Sequence, residues 1–145
     1  MSHERTASHR PPGGGYQDLR VWHTALELAT EFYQRTATFP DPERFGLTAQ
    51  MRRAAVSVVS NIAEEHGRGS KAAFASFLSI ARGSTKELEA QAILAVRLGF
   101  ATDTEMRHLS SLCASTAQML YALRRSLGRD GRAPVPPPAT PDAPT

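Results

Sequence analysis

Proline is confined to the two ends of this sequence, and that segregation constrains the fold more than any other feature. Four of the ten prolines lie at or before Pro42 and six at or after Pro134. Proline removes a backbone donor and clashes with the preceding helical turn, so the proline-free span 43 to 133 has room for three helices, with a fourth before it. The flanks read differently. Residues 1 to 15, MSHERTASHRPPGGG, and 129 to 145, RDGRAPVPPPATPDAPT, carry too few apolar groups to offset the entropy of ordering. They are expected to be disordered tails around one domain at 16 to 128. The proline-rich tail also has the composition of a ligand for an aromatic groove, but at a terminus it reads first as a solvated extension.

Within the domain, apolar residues recur at helical spacing and nowhere alternate at period two, so no sheet is expected. The first helix is expected over 19 to 37, capped by Asp18, with Trp22, Ala25, Leu26, Ala29, Phe32, Tyr33 and Thr36 facing inward. It must stop at Phe39, which precedes a proline. The second is expected from about Thr48 to Gly67, with Leu47, Met51, Ala54, Ala55, Val58 and Ile62 on one face. Its second apolar strip, Val56, Val59 and Ala63, lies roughly 100° away. Two strips imply two partners, the chain's own bundle and another subunit.

Ser70 is placed to cap a third helix, with Phe74, Phe77, Leu78, Ala81, Thr85, Leu88, Ala92, Ala95 and Val96 inward and Gly99 at its end. Thr102-Asp103-Thr104-Glu105 then forms a capping box for a fourth helix. That helix should continue to about Leu127 with Leu109, Leu112, Cys113, Thr116, Met119, Leu120, Leu123 and Leu127 inward, and end at Gly128. The expected fold class is all-α, an antiparallel up-down four-helix bundle.

At 145 residues the chain can bury a proper core without disulfides, and its one cysteine, Cys113, falls on an apolar face. A reduced, cytoplasmic protein is expected. No apolar run approaches the roughly 20 residues needed to cross a bilayer, and residues 1 to 15 lack the apolar core of a secretory signal. The net charge is +3, and arginine dominates the basic side with fifteen residues against two lysines. Arginine suits bidentate contacts to phosphate or carboxylate, although a GC-rich genome produces the same bias.

Three blocks, YQDLRVWHTALELATEFY at 16 to 33, FGLTAQMRRAAVSVVSNIAEEHGRGS at 45 to 70 and FASFLSIARGSTKELEAQ at 74 to 91, resemble the bacterial four-helix-bundle proteins encoded in intervening sequences of 23S ribosomal RNA genes. The family pattern has glycine where this chain has Glu65. The resemblance implies a homopentameric ring with no enzymatic activity and no cofactor. A structurally similar protein, the accessory variability determinant of diversity-generating retroelements, is a basic pentamer that binds nucleic acid and a reverse transcriptase. By analogy, the partners of this chain would be further copies of itself, RNA or DNA, and a reverse transcriptase.

Asn61, the single asparagine, sits at the edge of the inward face of the second helix and is expected to fix helix register through hydrogen bonds. Beside it run Arg53, Ser57, Ser60 and Glu64; Arg52 or Arg53 is expected to pair with Glu64, Glu87 or Glu89 across helices or subunits. Metal chemistry of the di-iron bundle type needs two Glu-x-x-His pairs, and only Glu105 with His108 occurs, in a cap. No nucleophile, base and oxyanion donor can be assembled from the side chains present. The basic rows are the functional candidates: Lys71, Arg82, Lys86 and Arg97 on the third helix, and Arg107, Tyr121, Arg124 and Arg125 on the fourth. They read as a phosphate-contacting surface of low sequence specificity. The bland alternative is a solvated, solubilising face. Two functions follow, a nucleic-acid-binding accessory protein or an oligomeric scaffold for protein partners, and salt dependence separates them.

Overall fold

The periodic stretches fold into four helices: α1 over Arg20–Thr36, α2 over Leu47–His66, α3 over Lys71–Arg97 and α4 over Asp103–Arg129. The computed structural model describes residues 19–66 and 70–129, without the side chains of Glu64, Glu65, His66 and Arg129. A 3₁₀ turn, Asp41–Glu43, lies between α1 and α2, and no strand occurs among the described residues. α1 packs on α2, α2 on α3, α3 on α4 and α4 back on α1, while the diagonal pairs do not approach. The chain is an all-α four-helix bundle.

Local chemistry sets the helix ends. The N-cap of α1 is Leu19, which makes no side-chain cap, and Asp18 lies outside the described residues. α1 ends at Thr36; Phe39 then turns inward, donating its N–H to the Thr36 carbonyl at 3.1 Å and packing its ring on Phe100. At the start of α2 the Glu43 carboxylate accepts the Leu47 N–H at 3.2 Å. A Cβ on Gly46 would stand 3.0 Å from that carboxylate, so glycine leaves room for the cap. α2 runs on through Glu65, and the Gly67 stop falls outside the described residues. Ser70 caps α3 as expected, its hydroxyl accepting the Ala73 N–H at 3.2 Å.

The α3–α4 corner follows the local rules most closely. Gly99 has φ +79°, its N–H bonds to the Val96 carbonyl, and the Phe100 N–H bonds to the Ala95 carbonyl, closing a Schellman motif. Thr102 and Glu105 then cap α4 reciprocally: the Glu105 N–H donates to the Thr102 hydroxyl at 3.2 Å and the Thr102 N–H to the Glu105 carboxylate at 2.9 Å. Gly128 does not end α4. The helix continues through Arg129 and Gly128 has no positive φ, so no left-handed turn forms there.

The inward faces of α2, α3 and α4 agree with their apolar stripes, and Met51, Val58, Ile62, Leu78, Leu88, Leu109 and Leu120 are fully buried or nearly so. α1 is rotated from its expected face. Val21, Ala25, Leu28, Phe32 and Thr36 are buried, whereas Leu26 and Tyr33 are 38% and 41% exposed. Both rows on α1 are apolar, and the helix turns to the one that fits between α2 and α4. α3 also buries Ser84 and Gln91 outside its expected stripe, and α4 buries Met106 and Ala117.

Two outcomes are expected from this architecture. Leu88→Ala should lower unfolding free energy in urea by about 2–5 kcal/mol, since the side chain is fully buried. Hydrogen bonds from Thr102, the backbone N–H foremost, hold the Glu105 carboxyl below its ordinary value, with Arg35 reinforcing them against slight desolvation. A carboxyl depressed by folding contributes stability above its unfolded pKa, and that contribution disappears as pH falls through the folded value. Wild type should therefore exceed Glu105→Gln in melting temperature at neutral pH, and the gap should close below about pH 4; a gap independent of pH would refute the assignment.

Candidate nucleic-acid interface

α3 and α4 leave an open groove of about 360 Å³ between them, lined by Leu78, Ser79, Arg82, Gly83, Lys86, Leu120, Tyr121 and Arg124. The apolar floor comes from Leu78 and Leu120, which belong to the core, while the residues one step around each helix point outward. The Arg82 guanidinium lies over the Tyr121 ring, 5.0 Å from its centroid, and Arg125 approaches the same ring at 5.9 Å. A cation over an aromatic face is attracted by the ring's quadrupole, so Tyr121 orders both arginines. The lining contains three cations and no carboxylate. Glu89 stands one turn beyond Lys86, yet no ion pair joins Lys86 to it or to any described carboxylate.

Arg82, Lys86, Tyr121, Arg124 and Arg125 are therefore brought together, and the other residues of the basic rows are not. Lys71 lies about 16 Å and Arg97 about 22 Å along α3 from Arg82, at the 1.5 Å rise of a helix. Arg107 is about 21 Å from Tyr121 along α4 and is paired with Asp103. Of each row, only the segment that meets its counterpart across the α3–α4 seam belongs to the groove. Sequence reasoning passed over Gly83, whose signal was available as an isolated glycine within a helical pattern.

The polar network differs from its expected form. Among the described residues Arg52 pairs with no acid; it ties α2 to α1, with Nε donating to the Thr36 hydroxyl at 2.9 Å, Nη2 donating to the Tyr33 carbonyl at 3.1 Å, and the guanidinium over the Tyr33 ring. Arg53 is exposed and forms no ion pair within the chain to Glu87 or Glu89, and the Glu64 side chain lies outside the described residues. Glu87 instead accepts from the Gln91 amide at 3.2 Å. Asn61 donates to the Ser57 carbonyl at 2.7 Å and to the Ser57 hydroxyl at 2.9 Å, both on its own helix. The link between helices is one residue away: the Ser84 hydroxyl of α3 donates to that Ser57 hydroxyl at 3.0 Å. Asn61 thus anchors the serine that α3 reaches.

Of the second α2 strip, Val56 is 44% exposed, Ala63 is half-buried, and Val59 packs against the chain's own core. The strip therefore divides between the bundle and its surface. α1 and α4 are joined by Arg35 to Glu105 and by His108 to Glu31, each at 3.0 Å, so Glu105 and His108 serve the helix interface. Burial pushes the Cys113 thiol up to about 12, with the Glu89 carboxylate adding to the shift and Lys86 opposing it. It remains a neutral thiol near neutrality. Among the described residues no cluster of three metal-ligating side chains occurs, and no helix is long and apolar enough to cross a membrane.

With the geometry in place, comparison assigns a class. Residues 17–122 match the family described as 23S rRNA-intervening sequence protein. The chain belongs to that family. A crystal structure of a protein of unknown function from the S23 ribosomal protein family of Bacteroides thetaiotaomicron is similar in fold, with a TM-score of 0.64 at 22% identity over 72% of this chain and 95% of that one. Among curated proteins, none matches.

The serine link supports a direct test. Ser57→Ala leaves the Asn61 amide and the Ser84 hydroxyl each short of a partner, and should cost about 1–3 kcal/mol in urea unfolding, whereas Ser60→Ala, on the exposed side of the same helix, should stay within about 0.5 kcal/mol.

Proposed function

We propose that this chain is a non-enzymatic accessory protein of the cytoplasm that binds nucleic acid through the α3–α4 groove, with little sequence preference. The observation that carries this reading is the unneutralised cationic lining, Arg82, Lys86 and Arg124, set around an aromatic ring that orders its arginines. Cations without carboxylate partners favour a polyanion, and the absence of a zinc-finger spacing, aromatic-rich RNA motif or recognition-helix sequence favours backbone contacts over base readout.

The assembly belongs to the same proposal. Consecutive helices pack in sequence order, and the α1–α4 bridges run in reverse register, Glu31 to His108 and Arg35 to Glu105, which supports an antiparallel up-down bundle. A homopentameric ring, as the family resemblance implies, would use apolar side chains that the single chain leaves exposed, among them Leu26, Tyr33 and Val56. A ring would repeat the basic groove around its circumference. A reverse transcriptase as further partner rests on analogy with retroelement accessory proteins.

A second reading, an oligomeric scaffold for protein partners, draws support from Phe45, which is 88% exposed at the mouth of α2. Salt separates the two. For the nucleic-acid reading, the logarithm of affinity for RNA or DNA should fall with the logarithm of salt at a slope of at least about −2 for three cations on one strand. Replacing Arg82, Lys86 and Arg124 by alanine together should flatten that slope. Light scattering on the same samples should give a pentamer-sized particle that gains mass with nucleic acid at low salt and releases it at higher salt. A particle indifferent to nucleic acid would favour the scaffold, and nucleic-acid binding that survives the triple substitution unchanged would overturn the groove as its site.

A further inference from the structure

We propose that Gly83 is a positioning residue that keeps the α3–α4 groove open for the phosphodiester backbone of a single-stranded nucleic acid. The inference rests on the nucleic-acid reading above and adds to it a form of ligand and a residue that selects it.

A glycine near the middle of a long helix lowers stability, because its backbone loses more freedom on folding than any other residue's. Such a position calls for a compensating reason; Gly128 stands in the last turn of α4, where a helix end tolerates glycine, and the described glycines at the helix junctions each have a reason of their own. Gly46 makes room for the Glu43 cap, and Gly99 takes a positive φ. Gly83 has neither. Its backbone is helical without positive φ, and a Cβ there would meet no atom within 4 Å. Neither conformation nor packing within the chain requires glycine at this point.

What a side chain at 83 would alter is the groove. Gly83 lies in its wall beside Arg82 and one turn before Lys86, opposite Tyr121 and Arg124 of α4. Any side chain would enter the space that the three cations border. The ligand must therefore come close to the α3 backbone itself, past the tips of the arginines. A duplex carries its phosphates on a wide rod and meets such a surface at the cation tips, whereas a single strand is narrow and flexible enough to lie in a groove between two helices. The Tyr121 ring is engaged with Arg82 and Arg125, so the contact is made chiefly to phosphate and tolerates any base.

The test uses the full-length chain as wild type, Gly83→Ala and Gly83→Leu, titrated at low salt with a labelled thymidine oligonucleotide and with a mixed-sequence duplex. Melting temperature and particle mass are followed in parallel. Gly83→Ala should melt about 2–6 °C higher at unchanged mass, since alanine is the better helix former. Gly83→Leu should bind the single strand about tenfold more weakly while duplex affinity stays within about twofold. Competition by adenosine monophosphate at the strand's own nucleotide concentration would assign the groove to a mononucleotide and overturn both readings, whereas equal single-strand binding by Gly83→Leu and wild type overturns the inference alone and leaves the broader reading standing. A lower melting temperature or altered mass for Gly83→Ala would assign the glycine to folding or assembly and overturn it likewise. Wild type that binds neither oligonucleotide overturns both readings together.

Discussion

The bundle depends on a core whose most deeply buried hydroxyls find their acceptors within their own helices. Three buried threonines, Thr36, Thr85 and Thr116, each donate a hydroxyl proton to a carbonyl on their own helix, of Phe32, Arg82 and Leu112, at 2.6–2.7 Å. Burying a hydroxyl without a partner costs on the order of 1–3 kcal/mol, and back-bonding to the preceding turn removes that penalty without reaching a neighbour. The interior can then pack as though it were wholly apolar. Phe32, Met51, Leu78, Leu88 and Leu120 fill it, and buried alanines at 25, 54, 55, 81, 92 and 95 let the helices approach between them.

An interior of that kind is permissive about register, because apolar burial is non-directional. Register is then set by a few polar contacts, one kind at each of three seams. α2 meets α3 through Ser57 and Ser84, α2 meets α1 through Arg52 on Thr36 and Tyr33, and α1 meets α4 through Arg35 with Glu105 and His108 with Glu31. The α1–α4 pairs are substantially exposed, and an exposed ion pair contributes little free energy. Their role is to discriminate between alignments that the core alone would accept.

This division explains which parts of the molecule could be read from its sequence. Ser70, Gly99 and the Thr102–Glu105 box are local motifs, so each was legible within a few residues of chain. The inner faces of α2, α3 and α4 were legible because one stripe on each is plainly the more apolar. On α1, Val21 and Leu28 compete with Leu26 and Tyr33 on adjacent rows, and only the neighbouring helices decide between them. The contacts of Arg52 within the chain were not legible for a related reason: charge alone points to a carboxylate, whereas the helix crossing offers a carbonyl, a hydroxyl and a ring. The basic rows were legible as rows, but the meeting of Arg82 and Lys86 with Tyr121 and Arg124 is a property of the α3–α4 alignment.

That alignment also separates charge. The chain's net charge is only +3, too small by itself to imply a polyanion partner. Its acids, however, are spent at particular places: Glu43 and Glu105 at helix starts, Glu31 across the α1–α4 seam, Asp103 on Arg107. None of these lies in the lining of the α3–α4 groove, and no ion pair joins Lys86 to the neighbouring Glu89, so the groove's cations keep their charge while the bundle as a whole stays nearly balanced. Field lines from clustered, unneutralised cations are concentrated in a concave site. A modest net charge is therefore compatible with a strong local attraction for phosphate, and the groove, more than the total, is the feature on which a function can be argued.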